Sequence, residues 1–230
     1  MSFHIAVEGG KSVRLLTAGK YCPQDIVVAA TGGGATDEGV NSQAFADFIL
    51  GNTTEIYNDK AVGTLAAYAF YESGATRIEL PNIQYLKERC FYGCENLETL
   101  LLPGLLGYTY QYMAYGCTGL KTIDIHNTNY LSSYALYNCS SLTKLDLHRV
   151  GTIATNSMAG CSKLATLILR MDTVPTLGGT TAFTNTPIAK GTGYIYVPRN
   201  MLENYKTDAT WSTYTARFRA IEDYPDICGE

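Results

Sequence analysis

The chain has 230 residues, 46% of them hydrophobic and 17% charged, with a formal net charge of -4. That length holds one large domain or an elongated array with small additions, and the charge balance offers no basic field for a phosphate backbone, which excludes nucleic acid as a partner. No apolar run approaches the roughly 18 residues of a membrane-crossing helix, so membrane insertion is not expected.

In chain order, residues 1–30 read as a small β module. Ile5 and Val7, Val13 and Leu15, and Ile26 and Val28 alternate with their neighbours at strand period, and Glu8–Lys11 and Thr17–Lys20 are turns. Three short strands make a marginal sheet, so the module should pack on a partner or on a second copy of itself. The opening residues lack the basic head and apolar run of a secretory signal. The expectation is a chain that works where it is made or leaves by lysis. Residues 31–40 are a Gly-rich linker. A short helix then carries Phe45, Phe48 and Ile49 on one face and stops at Gly51. It should shield the open end of the array beyond it. Thr53–Tyr57 is the first expected strand.

From there the chain repeats itself. Segments of one pattern begin at Cys94, Cys117, Cys139 and Cys161, spaced by 23, 22 and 22 residues, the signature of a repeat architecture. Three residues after each cysteine stand Leu97, Leu120, Leu142 and Leu164. Six after stand Leu100, Ile123, Leu145 and Leu167, and eight after Leu102, Ile125, Leu147 and Leu169. This is L-x-x-L-x-L, whose alternate strand residues point inward. Upstream, Leu86, Leu131 and Ile153 lie eight before the cysteine, and Phe91, Ala114, Leu136 and Met158 three before. An earlier, degenerate unit carries Leu65, Ala69, Phe70 and Ile78 with Ser73 in the cysteine's place, and a last one keeps Ala182-Phe183. Solenoid and N-terminal helical cap together span 41–190. Residues 191–230 form a C-terminal cap, a strand at Tyr194–Val197 and a helix opening at Pro198. Trp211, Tyr214, Phe218 and Ile221 then recur at helical spacing, with Asp208 or Thr210 to cap them.

Cys90-Phe91-Tyr92-Gly93-Cys94 followed by the leucine pattern, and Ala69-Phe70 upstream, resemble the BspA-type leucine-rich repeat family over roughly residues 53–198. The resemblance implies a repeat solenoid: a right-handed coil of short parallel strands, mostly β with short helical turns, presenting an interaction surface. Lys20–Val28 resembles short β segments of phage and prophage tail-associated proteins, which would make virion proteins the partner of residues 1–30 and place the chain on a virion, or in the bacterial cytoplasm before lysis. The alternative is a BspA-like adhesin on a bacterial cell surface. Either reading implies a protein or glycan ligand on a cell surface.

Three constellations could carry chemistry. Seven cysteines, four at one repeat position, describe a column of free buried thiols better than disulfides or zinc, because stacked positions point the same way. The 18 tyrosines form columns: Tyr71, Tyr92, Tyr115 and Tyr137 two before the cysteine, Tyr68, Tyr112 and Tyr134 five before, and Tyr85, Tyr108 and Tyr130 nine before. Core positions would take Leu or Phe, so the rings should be half-packed with hydroxyls at water. Two readings stay open, a cohesive aromatic stack and a ligand platform offering ring faces and hydroxyls, with Tyr92, Tyr115, Tyr137, Tyr112 and Tyr134 as its surface. Asp124, His126, Asp146 and His148 occupy matching places in adjacent repeats, a candidate divalent-metal set or a solvated strand end. Gly10-Lys11-Ser12 is a turn rather than a phosphate loop, neither G-x-S-x-G nor H-E-x-x-H occurs, and His4 is the one further histidine. No catalytic residue, cofactor or enzymatic activity is expected.

Overall fold

A strand of three or four residues is unstable alone. A chain that returns every 22 residues can lay such strands side by side, each satisfying its neighbour's backbone. The computed structural model describes residues 67–229 continuously, with residues 16–17, 20–21, 28–29, 55–57, 59 and 63–65 before them. Glu55–Tyr57, Arg77–Glu79, Thr99–Leu101 and Thr122–Asp124 pair in parallel as one sheet. Lys144–Leu147, Thr166–Leu169, Tyr194–Val197 and Phe218–Ala220 form a second. The register sets Ile78 beside Leu100 and Leu100 beside Ile123, and likewise Leu145 beside Leu167 and Leu167 beside Ile195. The segments upstream of the cysteines build narrower parallel sheets, Gly63–Leu65 with Ile83–Leu86, and Tyr130–Leu131 with Thr152–Ile153 and Thr176–Leu177. These many short parallel strands are consistent with a repeat coil.

In the N-terminal 30 residues, Leu16–Thr17 pairs antiparallel with Lys20–Tyr21 around the expected turn, and Val28–Ala29 pairs antiparallel with Gly63–Leu65. The rest of the β module, the linker at 31–40 and the helix with Phe45, Phe48 and Ile49 lie outside the described residues. No helix among the described residues is long and apolar enough to cross a membrane.

The expected leucine columns are the core. Leu97, Leu120, Leu142 and Leu164 are fully buried, as are Leu102, Ile125, Leu147 and Leu169. Of the columns read from the sequence, Ile123 alone is only partly buried, packed against the core from its edge.

The turn before each cysteine is hydrogen-bonded to its counterpart in the next repeat. Three residues before the cysteine position, an N–H donates onward: Phe70 to Cys90 (2.7 Å), Phe91 to Met113, Ala114 to Ala135 and Leu136 to Ser157 (each 2.8 Å), and Met158 to Ala182 (3.1 Å). One residue before it, Glu72 donates to Tyr92, Gly93 to Tyr115, Gly116 to Tyr137, Asn138 to Ala159 and Gly160 to Thr184, at 2.7 to 2.8 Å. These bonds form a ladder separate from the strands, and they put Thr186 in the cysteine's place in the last repeat.

The cysteines bind the same turns from inside. Cys94 Sγ donates to the Phe70 carbonyl (2.8 Å), Cys117 to Phe91 (3.0 Å), Cys139 to Ala114 (3.2 Å) and Cys161 to Leu136 (3.0 Å), each reaching one repeat back. All four are free thiols with no exposed surface, and Cys90 and Cys228 are likewise free and buried. Burial pushes the Cys90 thiol up to about 12. A hydrogen-bonded neighbouring thiol, then burial, raises Cys117 and Cys139.

The C-terminal cap departs from the helix expected over Trp211 to Ile221. A 3-10 segment, Ser212–Arg217, is interrupted at Tyr214 (φ -102°, ψ 16°), and Phe218–Ala220 is a strand parallel to Tyr194–Val197. The reason lies in the sheet edge: Tyr194–Val197 would leave a row of backbone groups unpaired, and a strand satisfies them where a helix cannot. The apolar residues still enter the core. Trp211 is buried with its indole N–H on the Pro175 carbonyl at 2.7 Å, and the Tyr214 hydroxyl donates to the Thr180 carbonyl at 3.2 Å. Upstream, Leu202–Thr207 is the helix expected beyond Pro198, and Asp208 Oδ1 accepts from the Thr210 and Trp211 N–H groups.

The burial of the thiols has two measurable consequences. A thiol reagent should find at most Cys22 in the native protein and all seven cysteines after unfolding; fewer than seven then would mean disulfides. Because the folded-state pKa of Cys90 lies above its ordinary 9.0, its contribution to stability is intact below pH 9 and is lost as pH climbs toward 12. Thermal melts from pH 7 to 11 should fall above pH 9, and less steeply in Cys90→Ala.

Candidate ligand-binding groove

The turn ladder sets its side chains one strand spacing apart. Two residues before the cysteine this yields a stack of phenol rings: Tyr71 on Tyr92 at 5.2 Å, Tyr92 on Tyr115 at 5.0 Å and Tyr115 on Tyr137 at 4.9 Å, within 6° of parallel. A second row runs five before the cysteine, through Tyr68, Arg89, Tyr112 and Tyr134. Tyr112 stacks on Tyr134 at 5.1 Å, and the Arg89 guanidinium lies over the Tyr68 and Tyr112 rings, 5.6 and 5.0 Å from their centroids. The rows are tied by i to i+3 bonds such as Tyr92 N–H to Arg89 carbonyl, so their rings lean together at 5.6 to 5.7 Å.

Between them runs an open groove of about 500 Å³, lined by Tyr68, Tyr71, Arg89, Tyr92, Tyr112, Tyr115 and Tyr134. All seven are half-buried. Arg89 Nη1 donates to the Tyr68 hydroxyl at 2.7 Å and lies 3.4 Å from a Glu88 carboxylate oxygen. Asn156, next in that row, donates to the Tyr134 hydroxyl at 3.1 Å. Burial and, for Tyr71, the adjacent Glu72 hold the Tyr71 and Tyr115 phenols above their ordinary pKa, so both stay protonated at neutral pH.

The backbone under the second row is unusual. Tyr68, Arg89, Tyr112, Tyr134 and Asn156 all have φ between 55° and 61°, in the left-handed region that large L-residues rarely adopt. The turn has a second left-handed position just before the cysteine, filled by Glu72, Gly93, Gly116, Asn138, Gly160 and Asn185, mostly residues that take it cheaply.

The five tyrosines picked from the sequence as a ligand surface thus lie in two adjoining rows, four of them lining the groove and Tyr137 stacking on Tyr115 at its end. One expectation changes. Ring faces within each row are covered by the next ring, so the groove presents ring edges and hydroxyls instead. Arg89 was missed, because an arginine among tyrosines looks like an interruption; counting five back from each cysteine places it in the row. Tyr85, Tyr108 and Tyr130 follow the narrower sheets and do not line the groove; Tyr108 and Tyr130 meet at 5.2 Å.

The metal candidates are brought together but otherwise engaged. Asp124 accepts from the His126 ring, whose other ring nitrogen meets Asn127 at 2.8 Å, and the His126 and His148 ring centroids lie 4.9 Å apart. Asp146 is taken by Arg170, at 3.0 Å to Nε and 2.9 Å to Nη2, with His148 at 3.4 Å. Burial lowers the His148 pKa. A guanidinium already occupies one of the two carboxylates, and among the described residues no three or more His, Cys, Asp or Glu side chains are placed so as to hold a metal ion together.

A family model for the BspA type leucine-rich repeat region matches residues 38–190 in 6 copies. No curated protein matches the chain, and no comparison supports the likeness of Lys20–Val28 to phage tail proteins. The match covers more than half of the chain, and the turn and leucine columns that define it are the ones that fold: the chain belongs to the BspA-type leucine-rich repeat family.

Proposed function

We propose that the protein is a non-enzymatic binding protein and that the tyrosine groove is its ligand-binding face, set on a right-handed leucine-rich-repeat solenoid. Family membership points to protein binding or adhesion. The observation that carries the groove is the row of tyrosines and an arginine held in left-handed backbone. Such residues cost of order 1 kcal/mol each at that conformation and persist where the surroundings or a function hold them. Glycine or asparagine would fit the turn more cheaply, as they do four residues on. These side chains are kept for what they present.

The setting we propose is a phage or prophage particle, with residues 1–30 as the attachment or self-association module. It rests on the Lys20–Val28 likeness alone. A bacterial cell-surface adhesin, favoured by the family, is the second reading. Immuno-electron microscopy of an induced lysate separates them: label on particles supports the first, label confined to cell envelopes the second.

For the groove itself, Tyr112→Asn removes a ring and relieves a strained backbone. Strain relief and lost stacking offset, so unfolding free energy should change by less than about 1 kcal/mol. Binding of fluorescently labelled protein to bacterial cells should fall about tenfold, the loss of a hot-spot aromatic. A variant that destabilises markedly and binds cells normally would show that the row only packs. Tyr115→Ala, with a ring on either side, should cost binding similarly.

A further inference from the structure

The groove is chemically narrower than a generic binding surface. Its walls are tyrosine rings stacked with centroids 4.9 to 5.2 Å apart, with one guanidinium among them and no aliphatic side chain. Two common ways of holding a peptide are an open sheet edge and apolar pockets for its side chains. Neither is present in the groove, since the turn backbone is committed to its own ladder. A flat apolar ligand would need exposed ring faces, and the stacking covers them.

What remains is a comb of phenol hydroxyls, a group that can both donate and accept. Its tines are spaced about as far apart as successive sugar rings of an extended polysaccharide. Arg89 adds charge. Its Nη1 is used by Tyr68 and Glu88, while Nε and Nη2 meet no acceptor among the described residues. The flanking rings of Tyr68 and Tyr112 fix its plane, and such an edge accepts a carboxylate in bidentate fashion.

Resting on the reading of the groove as the binding face, we propose that its ligand is a linear acidic polysaccharide. The sugar hydroxyls lie along the rows of Tyr92, Tyr115, Tyr112 and Tyr134, and one ring carboxylate is held by Arg89. The groove runs across four repeats, room for a few sugar rings.

Three probes test this by calorimetry on the full chain: a galacturonic acid hexamer, the same hexamer methyl-esterified, and a hexa-aspartate peptide. The hexamer should bind, and the ester and the peptide should each bind at least tenfold more weakly. Arg89→Lys keeps the charge but loses the fork, and should weaken the hexamer about tenfold. Tyr115→Phe keeps the ring and the stack, and should weaken it severalfold through its hydroxyl alone. Circular dichroism confirms that each variant is folded; should Arg89→Lys not fold, the ester comparison on the unaltered chain still decides the carboxylate. Equal binding of the ester overturns the role given to Arg89, and equal binding of the peptide overturns the sugar. If no probe binds while Tyr112→Asn still weakens attachment to cells about tenfold, the ligand class is wrong and the groove stands. If Tyr112→Asn attaches normally, the groove itself falls.

Discussion

Register between consecutive turns is the constraint on which the rest depends. Each turn donates two N–H groups forward to the next, and each cysteine thiol donates backward to the turn before it. A slip of one residue would break both sets and bury the wrong side chains, so the columns of leucine, thiol and phenol share one register. Cysteine suits the inner position because it is a small hydrophobe that still offers a weak donor. A serine or threonine there carries a stronger polar group that must be satisfied in full. The hydroxyls sit at the two ends of the column. Ser73 meets the Cys94 sulfur at 3.5 Å, and Thr186 donates to its own turn at Phe183 and accepts from Ala189 to start the helix Pro187–Lys190.

Magnitudes decide how the tyrosine rows should be understood. A stacked aromatic pair contributes about 0.5–1.5 kcal/mol beyond burial, and a left-handed L-residue costs about 1–2 kcal/mol. In the row through Tyr68, Tyr112 and Tyr134 these nearly cancel, so stability alone does not favour tyrosine there. The row through Tyr71, Tyr92, Tyr115 and Tyr137 has no such backbone cost and is net stabilising. The groove therefore has a structural wall and a wall that folding energy does not explain, and Arg89 belongs to the second.

Recurrence made the fold legible. Each leucine column repeats several times, so one drifted residue cannot hide it, and the predicted core positions are buried with Ile123 at the edge. The tyrosine spacing was equally legible, because it derives from strand spacing. Three things were not. Ring orientation depends on side-chain torsions that a period does not encode, so covered faces were read as exposed ones. The left-handed backbone at Tyr68 or Tyr112 contradicts residue preference, and preference was the available guide. The apolar spacing from Trp211 to Ile221 fits a helix and a turn-plus-strand alike; the open edge of Tyr194–Val197, a tertiary fact, chose between them.

The groove also does not depend on the strands being continuous. Thr122–Asp124 ends one sheet and Lys144–Leu147 begins another, so the main strand ladder is interrupted between these repeats, where the Asp124, His126, Asp146 and His148 cluster lies. Across that same step the turn ladder is unbroken, with Ala114 N–H to the Ala135 carbonyl and Gly116 N–H to the Tyr137 carbonyl both at 2.8 Å. Tyr115 and Tyr137 accordingly keep the tightest ring spacing of their row, 4.9 Å. The turns, and not the sheets, hold the phenols at fixed intervals. A binding face built this way is preorganised by short, local bonds that tolerate a fault in the strands behind them.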